Sequence, residues 1–302
     1  MITKMNSPVF RGSGTALITP FKNGKVDFDS FEKLIEYQIQ GGTDALIICG
    51  TTGEAATLSE EERSECIEFA VSKVSGRLPV IAGTGCNETS RAVIRSKEAY
   101  KAGADAVLVV TPYYNKASAK GLVRHYTEVA KSADLPVIIY NVPSRTGVNI
   151  PVSVYSALDG IDNITGIKEA SGNIVYSLEI IDRCGDRFYL YSGSDDQILP
   201  MLSIGAMGVI SVISNIMPME THRLCSSFFE GDAKTALEIQ THMLRIIKAM
   251  FSEVNPIPVK TALSMMGMCS EEFRMPLCTM EEENRVSLEK VMEKYNLIKP
   301  SR

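Results

Sequence analysis

A single lysine lies within an apolar stretch that otherwise has the composition of a buried β-strand. In the run 164–170, ITGIKEA, Lys168 and Glu169 are the only charged residues among eight strand-like runs. Burying an ammonium group is costly unless it is paired or loses its proton. A deprotonated lysine is a nucleophile that can form a Schiff base with a carbonyl compound. Alternatively, Lys168 extends from the strand end into solvent, and this stretch alone does not decide between the two.

Hydroxyl groups and one guanidinium follow other apolar runs. Thr51 and Thr52 lie between two glycines, where they could form a tight turn with a helix cap or hold a carboxylate. Tyr140 ends a run, where a tyrosine can pack or, beside an amine, transfer protons. Arg145 is either a solvated charge or a carboxylate clamp, and Tyr114 is either a loop aromatic or part of a subunit interface. Each residue alone favours the simpler role, but their occurrence at successive run ends favours a site.

Metal and phosphate chemistry fit these run ends poorly. The three histidines fall in helical segments (residues 125, 222 and 242), so a histidine-ligated metal is not expected. Carboxylates at the run ends are too few and too dispersed for a metal cluster. Asp195 and Asp196 follow the seventh run, where they would repel a phosphate. We therefore predict imine chemistry on a small keto acid, with burial lowering the pKa of Lys168 from about 10.4 toward roughly 7–8.

The elements that would position these residues alternate along the chain. The apolar runs are 14–21, 45–50, 79–85, 106–113, 136–143, 164–170, 188–193 and 208–214. Most are continuous, as in parallel strands covered by helices. The gaps have helical periodicity, and the SEEE segment at 59–62 has a capping-box pattern. Eight such units predict an α/β (β/α)8 TIM barrel. A doubly wound sheet is the main alternative, but its Gly-rich dinucleotide motif is missing.

The pattern changes after Gly231. Segments 233–250, 258–266 and 280–295 are helical in pattern, and no further strand candidate follows. A Pro256/Pro258 pair indicates a turn among them. We predict a catalytic barrel over residues 1–231 and a C-terminal helical domain over residues 232–302.

Composition limits the classes of function. With 302 residues and a net charge of −5, the chain has no general electrostatic attraction to nucleic acid or anionic membranes. No segment has the roughly 18 apolar residues of a membrane span, and the N-terminus lacks the apolar region of a signal peptide. Seven scattered cysteines without a C-x-x-C pair fit reduced thiols better than disulfides or a zinc site. We expect a cytoplasmic enzyme.

Five motifs together carry a resemblance to a known family. They are GTTGEAATLS, TPYYNK, YNVPSRTG, GIKEASG and SGSDD, in this order and spacing. They resemble the 4-hydroxy-tetrahydrodipicolinate synthase (dihydrodipicolinate synthase) family of class I pyruvate aldolases and lyases, which include N-acetylneuraminate lyase. The likeness covers essentially the whole chain. The GTTGE and lysine motifs are shared by all these enzymes, whereas the arginine of YNVPSRTG is more specific to the synthases.

The resemblance implies a reaction and its catalytic residues. It implies condensation of pyruvate with L-aspartate 4-semialdehyde to 4-hydroxy-tetrahydrodipicolinate, the first committed step of diaminopimelate and lysine biosynthesis. Lys168 would form the imine, so that neither a metal nor an organic cofactor is expected. Tyr140 would transfer protons in a relay with Thr51 and with Tyr114, which reaches in from a neighbouring subunit of a homotetramer built from two dimers.

The same resemblance implies the substrate-binding residues. Thr52, with Thr51, would bind the pyruvate carboxylate. Arg145 would bind the carboxylate of the semialdehyde, and the backbone around Gly193 and Ile210 would line the pocket. Two alternatives stay open: a sister lyase acting on a sugar-derived keto acid, and a catalytically silent barrel that binds a keto acid as a sensor.

The resemblance also bears on feedback inhibition by L-lysine. In lysine-sensitive relatives a glutamate in a dimer-interface cleft accepts an ammonium group of the inhibitor, helped by an asparagine, a tyrosine and often histidines. Asn87 and Tyr113 keep their places here, but Arg91 stands at the place of the acid. The histidine places carry Glu60 and Arg63. We therefore expect that L-lysine does not inhibit this chain.

Overall fold

Eight parallel strands close into a barrel. The structure is a computed structural model that describes residues 7–299. Each strand pairs with its neighbours in chain order, and the last pairs with the first, with Gly12 opposite Gly208. The strands are β1 Gly12–Ala16, β2 Ala45–Ile48, β3 Val80–Gly83, β4 Ala106–Val110, β5 Val137–Asn141, β6 Ile164–Glu169, β7 Tyr189–Ser192 and β8 Gly208–Ser211. The predicted TIM barrel is confirmed.

Helices fill the connections, as the periodicity predicts. They are α1 Phe28–Gln40, α2 Glu60–Val74, α3 Thr89–Lys101, α4 Ala119–Ser132, α5 Pro143–Thr146, α6 Val152–Ala157, α7 Ile174–Cys184, α8 Ile198–Ser203, α9 Pro218–Phe229, α10 Ala233–Met250, α11 Ile257–Met265 and α12 Glu282–Lys294. The predicted capping box is present: the Ser59 hydroxyl accepts from the Glu62 amide at 3.2 Å, and the Glu62 carboxylate accepts from the Ser59 amide at 3.0 Å. None of the described helices is long and apolar enough to cross a membrane.

The structure corrects several strand boundaries. The first strand is Gly12–Ala16 rather than 14–21, and Phe21–Lys22 instead pairs with Lys25–Val26 in a small antiparallel hairpin. The fourth strand ends at Val110 rather than at residue 113. The fifth ends at Asn141, because Pro143 begins the short helix α5. A proline suits the first position of a helix but cannot donate to a strand ladder.

Apolar side chains pack on both faces of the barrel wall. The side chains inside the barrel form an inner cluster: Phe10, Ala16, Ala45, Ile47, Ile81, Ala106, Leu108, Ile138, Tyr140, Val142, Tyr191 and Ile210. The alternate residues of the same strands, such as Leu46, Val107 and Ile167, belong to the larger cluster between strands and helices. Burial on both faces explains why the strands are continuous apolar runs rather than alternating patterns.

The C-terminal helices are fastened to the barrel by a buried ion pair. Lys260 on α11 donates to the Glu54 carboxylate, and both side chains are fully buried. The second carboxylate oxygen of Glu54 accepts from the Arg274 amide at 3.3 Å. Removing one member of such a pair leaves an unpaired buried charge, which is strongly destabilising. The pair therefore fixes the loop after β2 to the tail, and a domain boundary at residue 231 stays a prediction.

Candidate active site

A cavity of about 470 Å³ lies at the C-terminal ends of the strands. Active sites of (β/α)8 barrels are built at this end. Six of the eight predicted site residues line it: Thr51, Thr52, Tyr140, Arg145, Lys168 and Gly193. The remaining two are Tyr114 and Ile210, which the structure places elsewhere. These six residues come from four strand ends, those of β2, β5, β6 and β7, and meet in one space.

Lys168 lies on β6 with its side chain in the barrel interior. It is opposite Tyr140 on β5 and Tyr191 on β7, and its Nζ lies 4.3 Å from the centre of the Tyr140 ring. The residue is only 5% exposed. Burial lowers the pKa of Lys168 to about 7, with the Asp195 carboxylate opposing the fall and the Arg145 cation adding to it. The solvent-exposed alternative is therefore wrong, and a large fraction of the amine is uncharged at neutral pH.

Tyr140 connects the lysine to other polar groups of the cavity. Its side chain is buried, and this burial raises the pKa of the phenol. The charge of Arg145 and a hydrogen bond with the Thr51 hydroxyl oppose the rise. A phenol beside an amine and a hydroxyl is placed to carry protons between them.

The loop after β2 supplies two hydroxyls to the cavity. Thr52 is 2% exposed, and its Oγ1 accepts a hydrogen bond from Asn255 Nδ2 at 3.0 Å. Thr51 lines the same wall and is partly exposed. The turn is held from the segment after β1, because Thr19 Oγ1 donates to the Gly53 carbonyl at 2.7 Å. The two threonines are therefore held in place by contacts with the rest of the chain.

Arg145 and Gly193 complete the predicted wall. Arg145 lies on α5, and its Nη2 donates to the backbone carbonyl of Asn255 at 3.0 Å. At Gly193 a β-carbon would lie 2.5 Å from Ala170 Cβ and 2.9 Å from the Glu169 carbonyl. Such contacts are too short for any other residue, so β6 and the segment after β7 approach closely only because residue 193 is glycine.

Two predicted residues do not line this cavity among residues 7–299. Tyr114 is 91% exposed, with a backbone φ of 68°. Ile210 is fully buried in the inner cluster, and Val212 forms the wall beyond β8. The predicted role of Tyr114 in a neighbouring subunit and that of the backbone at Ile210 stay predictions.

Sequence reasoning missed the contribution of the tail to the cavity. Ile247, Lys248 and Phe251 at the end of α10, together with Asn255, line it. The tail has the pattern of a separate helical domain, so no spacing in the sequence connects it with the strand ends. The proline pair beside Asn255 is the one signal that an irregular, fixed segment lies there.

Glu169, the second charged residue of the strand, has a structural role. Its carboxylate is buried and accepts from Asn141 Nδ2 at 2.8 Å and from the Ser171 amide at 2.5 Å. Burial raises the pKa of the carboxyl, and these hydrogen bonds oppose the rise. Asn141 Oδ1 in turn accepts from the Ile150 amide at 3.1 Å. Glu169 thus ties β6 to β5 and to the chain after α5.

A second cavity of about 410 Å³ adjoins the first and is rich in arginine. Asn87, Tyr113, Arg63, Arg91 and Arg95 line it. The nearby Glu60 carboxylate is held by Arg95, whose Nε and Nη2 donate at 2.9 and 2.7 Å. Arg63 is 3% exposed and donates to the carbonyls of Gly83 and Ala55 at 2.9 and 2.7 Å. The acid at position 60 is therefore already paired.

The histidines and cysteines carry no metal site in the described part of the chain. Residues 7–299 contain no group of three metal-ligating side chains, and all seven cysteines are free thiols. The histidines lie on helices, as predicted, and His125 is buried. Burial lowers the pKa of His125 to about 4. It is therefore a neutral residue of the barrel wall.

Comparison with known proteins agrees with this geometry. The model of the "Dihydrodipicolinate synthetase family" matches residues 9–295. A 4-hydroxy-tetrahydrodipicolinate synthase of Lachnoclostridium phytofermentans is 52% identical over 96% of this chain and 99% of its own. The crystal structure of dihydrodipicolinate synthase from Aquifex aeolicus is 48% identical and superposes with a TM-score of 0.94, covering 96% of this chain and all of that one. The chloride-inhibited enzyme from Acinetobacter baumannii, complexed with pyruvate, is 40% identical, with a TM-score of 0.93 over 95% and 99% of the two chains. The chain belongs to the dihydrodipicolinate synthetase family.

Proposed function

We propose that this chain condenses pyruvate with L-aspartate 4-semialdehyde to give 4-hydroxy-tetrahydrodipicolinate, the first step of diaminopimelate and lysine biosynthesis. The observation that carries the proposal is Lys168, a buried amine with a pKa of about 7, beside Tyr140 in a cavity lined by hydroxyls. Family membership supports it, as does the pyruvate bound by the related Acinetobacter enzyme. The activity is that of a class I aldolase-type lyase.

The first stage is formation of an imine. The neutral Lys168 amine attacks the keto carbon of pyruvate, and water leaves with protons supplied through Tyr140. Thr51 and Thr52 hold the pyruvate carboxylate. The protonated imine then serves as an electron sink, so that a methyl proton leaves and an enamine forms. Lys168 supplies both the nucleophile and the sink, and for this reason we propose no metal or organic cofactor.

The second stage joins the two substrates. Arg145 holds the carboxylate of the semialdehyde at the mouth of the cavity. The enamine carbon attacks the aldehyde, which takes up a proton and becomes a hydroxyl group. The amine of the same substrate then adds to the imine carbon and displaces Lys168 as the ring closes. The amine of Lys168 is regenerated for the next cycle.

The exposed Tyr114 supports a proposal about assembly. Tyr114, in the loop after β4, is 91% exposed, and its phenol would be able to act in catalysis if it entered the cavity of a second copy. We propose a homotetramer of two dimers in which Tyr114 completes the proton relay of its partner. We further place the enzyme in the cytoplasm, where seven free thiols stay reduced.

The reactivity of Lys168 should follow its pKa. Imine formation needs the neutral amine, so trapping with pyruvate and borohydride should fall about tenfold per pH unit below pH 7 and level off above it. Mass spectrometry should locate the pyruvyl adduct on the peptide that contains Lys168. The exposed Lys290 is the internal control, and a label there with none at Lys168 would contradict the mechanism.

Replacing Arg145 should impair reaction with the semialdehyde but not imine formation with pyruvate. In Arg145→Ala, kcat/KM for the semialdehyde should fall roughly ten- to a hundred-fold, because a charge-assisted contact is worth about 1.5–3 kcal/mol. Pyruvate trapping should change little when measured well above pH 7, where Lys168 is neutral in both proteins. Arg124→Ala, at an exposed position, is the matched control. An equal loss of trapping and turnover would make Arg145 a structural residue.

Hybrid dimers should reveal a shared site. Tyr114→Phe and Tyr140→Phe should each lower turnover, because each removes one hydroxyl of the relay. A mixed dimer has one site with both hydroxyls and one with neither, so about half of the wild-type rate should return. Sedimentation of differently tagged chains must first show that subunits exchange. Proven hybrids without any rescue would place Tyr114 outside the partner's site.

L-lysine should not inhibit the enzyme. If L-lysine bound in the arginine-rich cavity, its side-chain ammonium group would lie near the guanidinium of Arg91 and be repelled by it. Glu60, the nearby acid, is already paired with Arg95. A titration of L-lysine at subsaturating pyruvate should leave the rate unchanged, and clear inhibition in the low-millimolar range would refute the expectation. Arg91→Glu should gain sensitivity, whereas Arg124→Glu, away from the cavity, should not.

A further inference from the structure

One residue of the tail contacts both groups that would bind substrate carboxylates. Asn255 lies between α10 and α11, is 6% exposed, and lines both cavities. Its side-chain Nδ2 donates to Thr52 Oγ1 at 3.0 Å. Its backbone carbonyl accepts from Arg145 Nη2 at 3.0 Å. The side chain of Asn255 therefore contacts the threonine proposed to bind pyruvate, and its backbone contacts the arginine proposed to bind the semialdehyde.

We propose that the side chain of Asn255 is a positioning group that sets the direction of the Thr52 hydroxyl. A hydroxyl has one hydrogen to donate and two lone pairs to accept with. Because Asn255 occupies a lone pair, the hydrogen of Thr52 is free to point at the pyruvate carboxylate. An acceptor at position 255 would take that hydrogen and turn a lone pair of Thr52 toward the carboxylate.

The remaining contacts of Asn255 agree with this role. Its Oδ1 is buried and has no hydrogen-bond partner among the described residues. The orientation of the amide that lets Nδ2 donate to Thr52 therefore leaves Oδ1 without a donor. A buried polar atom without a partner is unusual enough in a folded protein to need an explanation. Here the explanation is that the donor end of the amide is the end that the site uses.

The inference rests on the proposed function, and it predicts that substitutions at position 255 change the KM for pyruvate but not the KM for the semialdehyde. Substitutions at position 255 remove or reverse the side-chain hydrogen bond to Thr52 but keep the backbone carbonyl that accepts from Arg145. The KM for pyruvate should therefore change, whereas the KM for the semialdehyde should stay within about twofold of wild type. A role limited to packing would move both values, or kcat, together.

Asn255→Asp is the decisive variant. It keeps the shape of the side chain, but an ionised carboxylate can only accept, so it reverses the hydrogen bond. The KM for pyruvate should rise about tenfold or more, since hydrogen bonds to charged groups are the stronger ones. Asn255→Ala should have a smaller effect, because Thr52 then keeps its hydrogen. Asn296→Asp, at an exposed position of the tail, is the matched control and should leave both KM values unchanged.

A double-mutant cycle with Thr52→Val separates hydrogen-bond direction from charge. Valine has no hydroxyl to reorient, so Asn255→Asp should raise the KM for pyruvate much less in that background than in wild type. Should Asn255→Asp not fold, the cycle of Asn255→Ala with Thr52→Val makes the same comparison. Additive effects, equal effects of aspartate and alanine, or parallel shifts in both KM values would overturn the proposal. Turnover of both substrates by the wild-type enzyme, measured first, shows whether the proposed function itself has failed.

Discussion

The burial of one amine determines the chemistry that this barrel can carry out. Lys168 is enclosed among strands whose other inward side chains are largely apolar, and desolvation lowers its pKa to about 7. The same burial raises the pKa of Tyr140 on the adjacent strand. One effect, the loss of water around two neighbouring groups, thus lowers the pKa of the amine and raises that of the phenol, and so favours the uncharged form of each. The phenol therefore keeps its proton at neutral pH, while a large fraction of the amine is uncharged and able to attack a carbonyl carbon.

The alternation of a β-strand separates the two charged residues of β6. Lys168 faces the barrel interior, and Glu169, one residue later, faces the opposite side. Glu169 takes hydrogen bonds from Asn141 and from the Ser171 amide, and its charge contributes to the raised pKa of Tyr140. The buried carboxylate with an electrostatic effect on Lys168 is instead Asp195, whose Oδ2 accepts from the amides of Val212 and Ile213 at 3.0 and 2.9 Å. Adjacent residues in sequence thus serve unrelated purposes.

Sequence patterns predicted the barrel and most of the site because both depend on regular elements. Apolar runs locate the strands, and site residues of this fold follow their C-terminal ends. The patterns were wrong at the strand boundaries, where Pro143 begins a helix and the chain after β1 forms a hairpin. They also missed Asn255, because a contact between residues 203 positions apart leaves no periodic signal. The sequence also did not show where along β8 the cavity begins. Ile210 lies below it in the inner cluster, whereas Val212, two residues later, borders it.

The buried pair between Lys260 and Glu54 determines at what stage of protein synthesis the loop after β2 gains its contacts with the tail. A ribosome releases the chain from its N-terminus, and N-terminal segments fold first. The loop that carries Thr51 and Thr52 emerges about two hundred residues before Asn255 and Lys260, the partners that hold it. In a nascent barrel, Thr52 and Glu54 therefore lack these two partners until the tail has been translated. A chain that stops before Asn255 and Lys260 lacks the side-chain partners of Thr52 and Glu54, so this wall of the cavity is completed only when the tail has folded against the barrel.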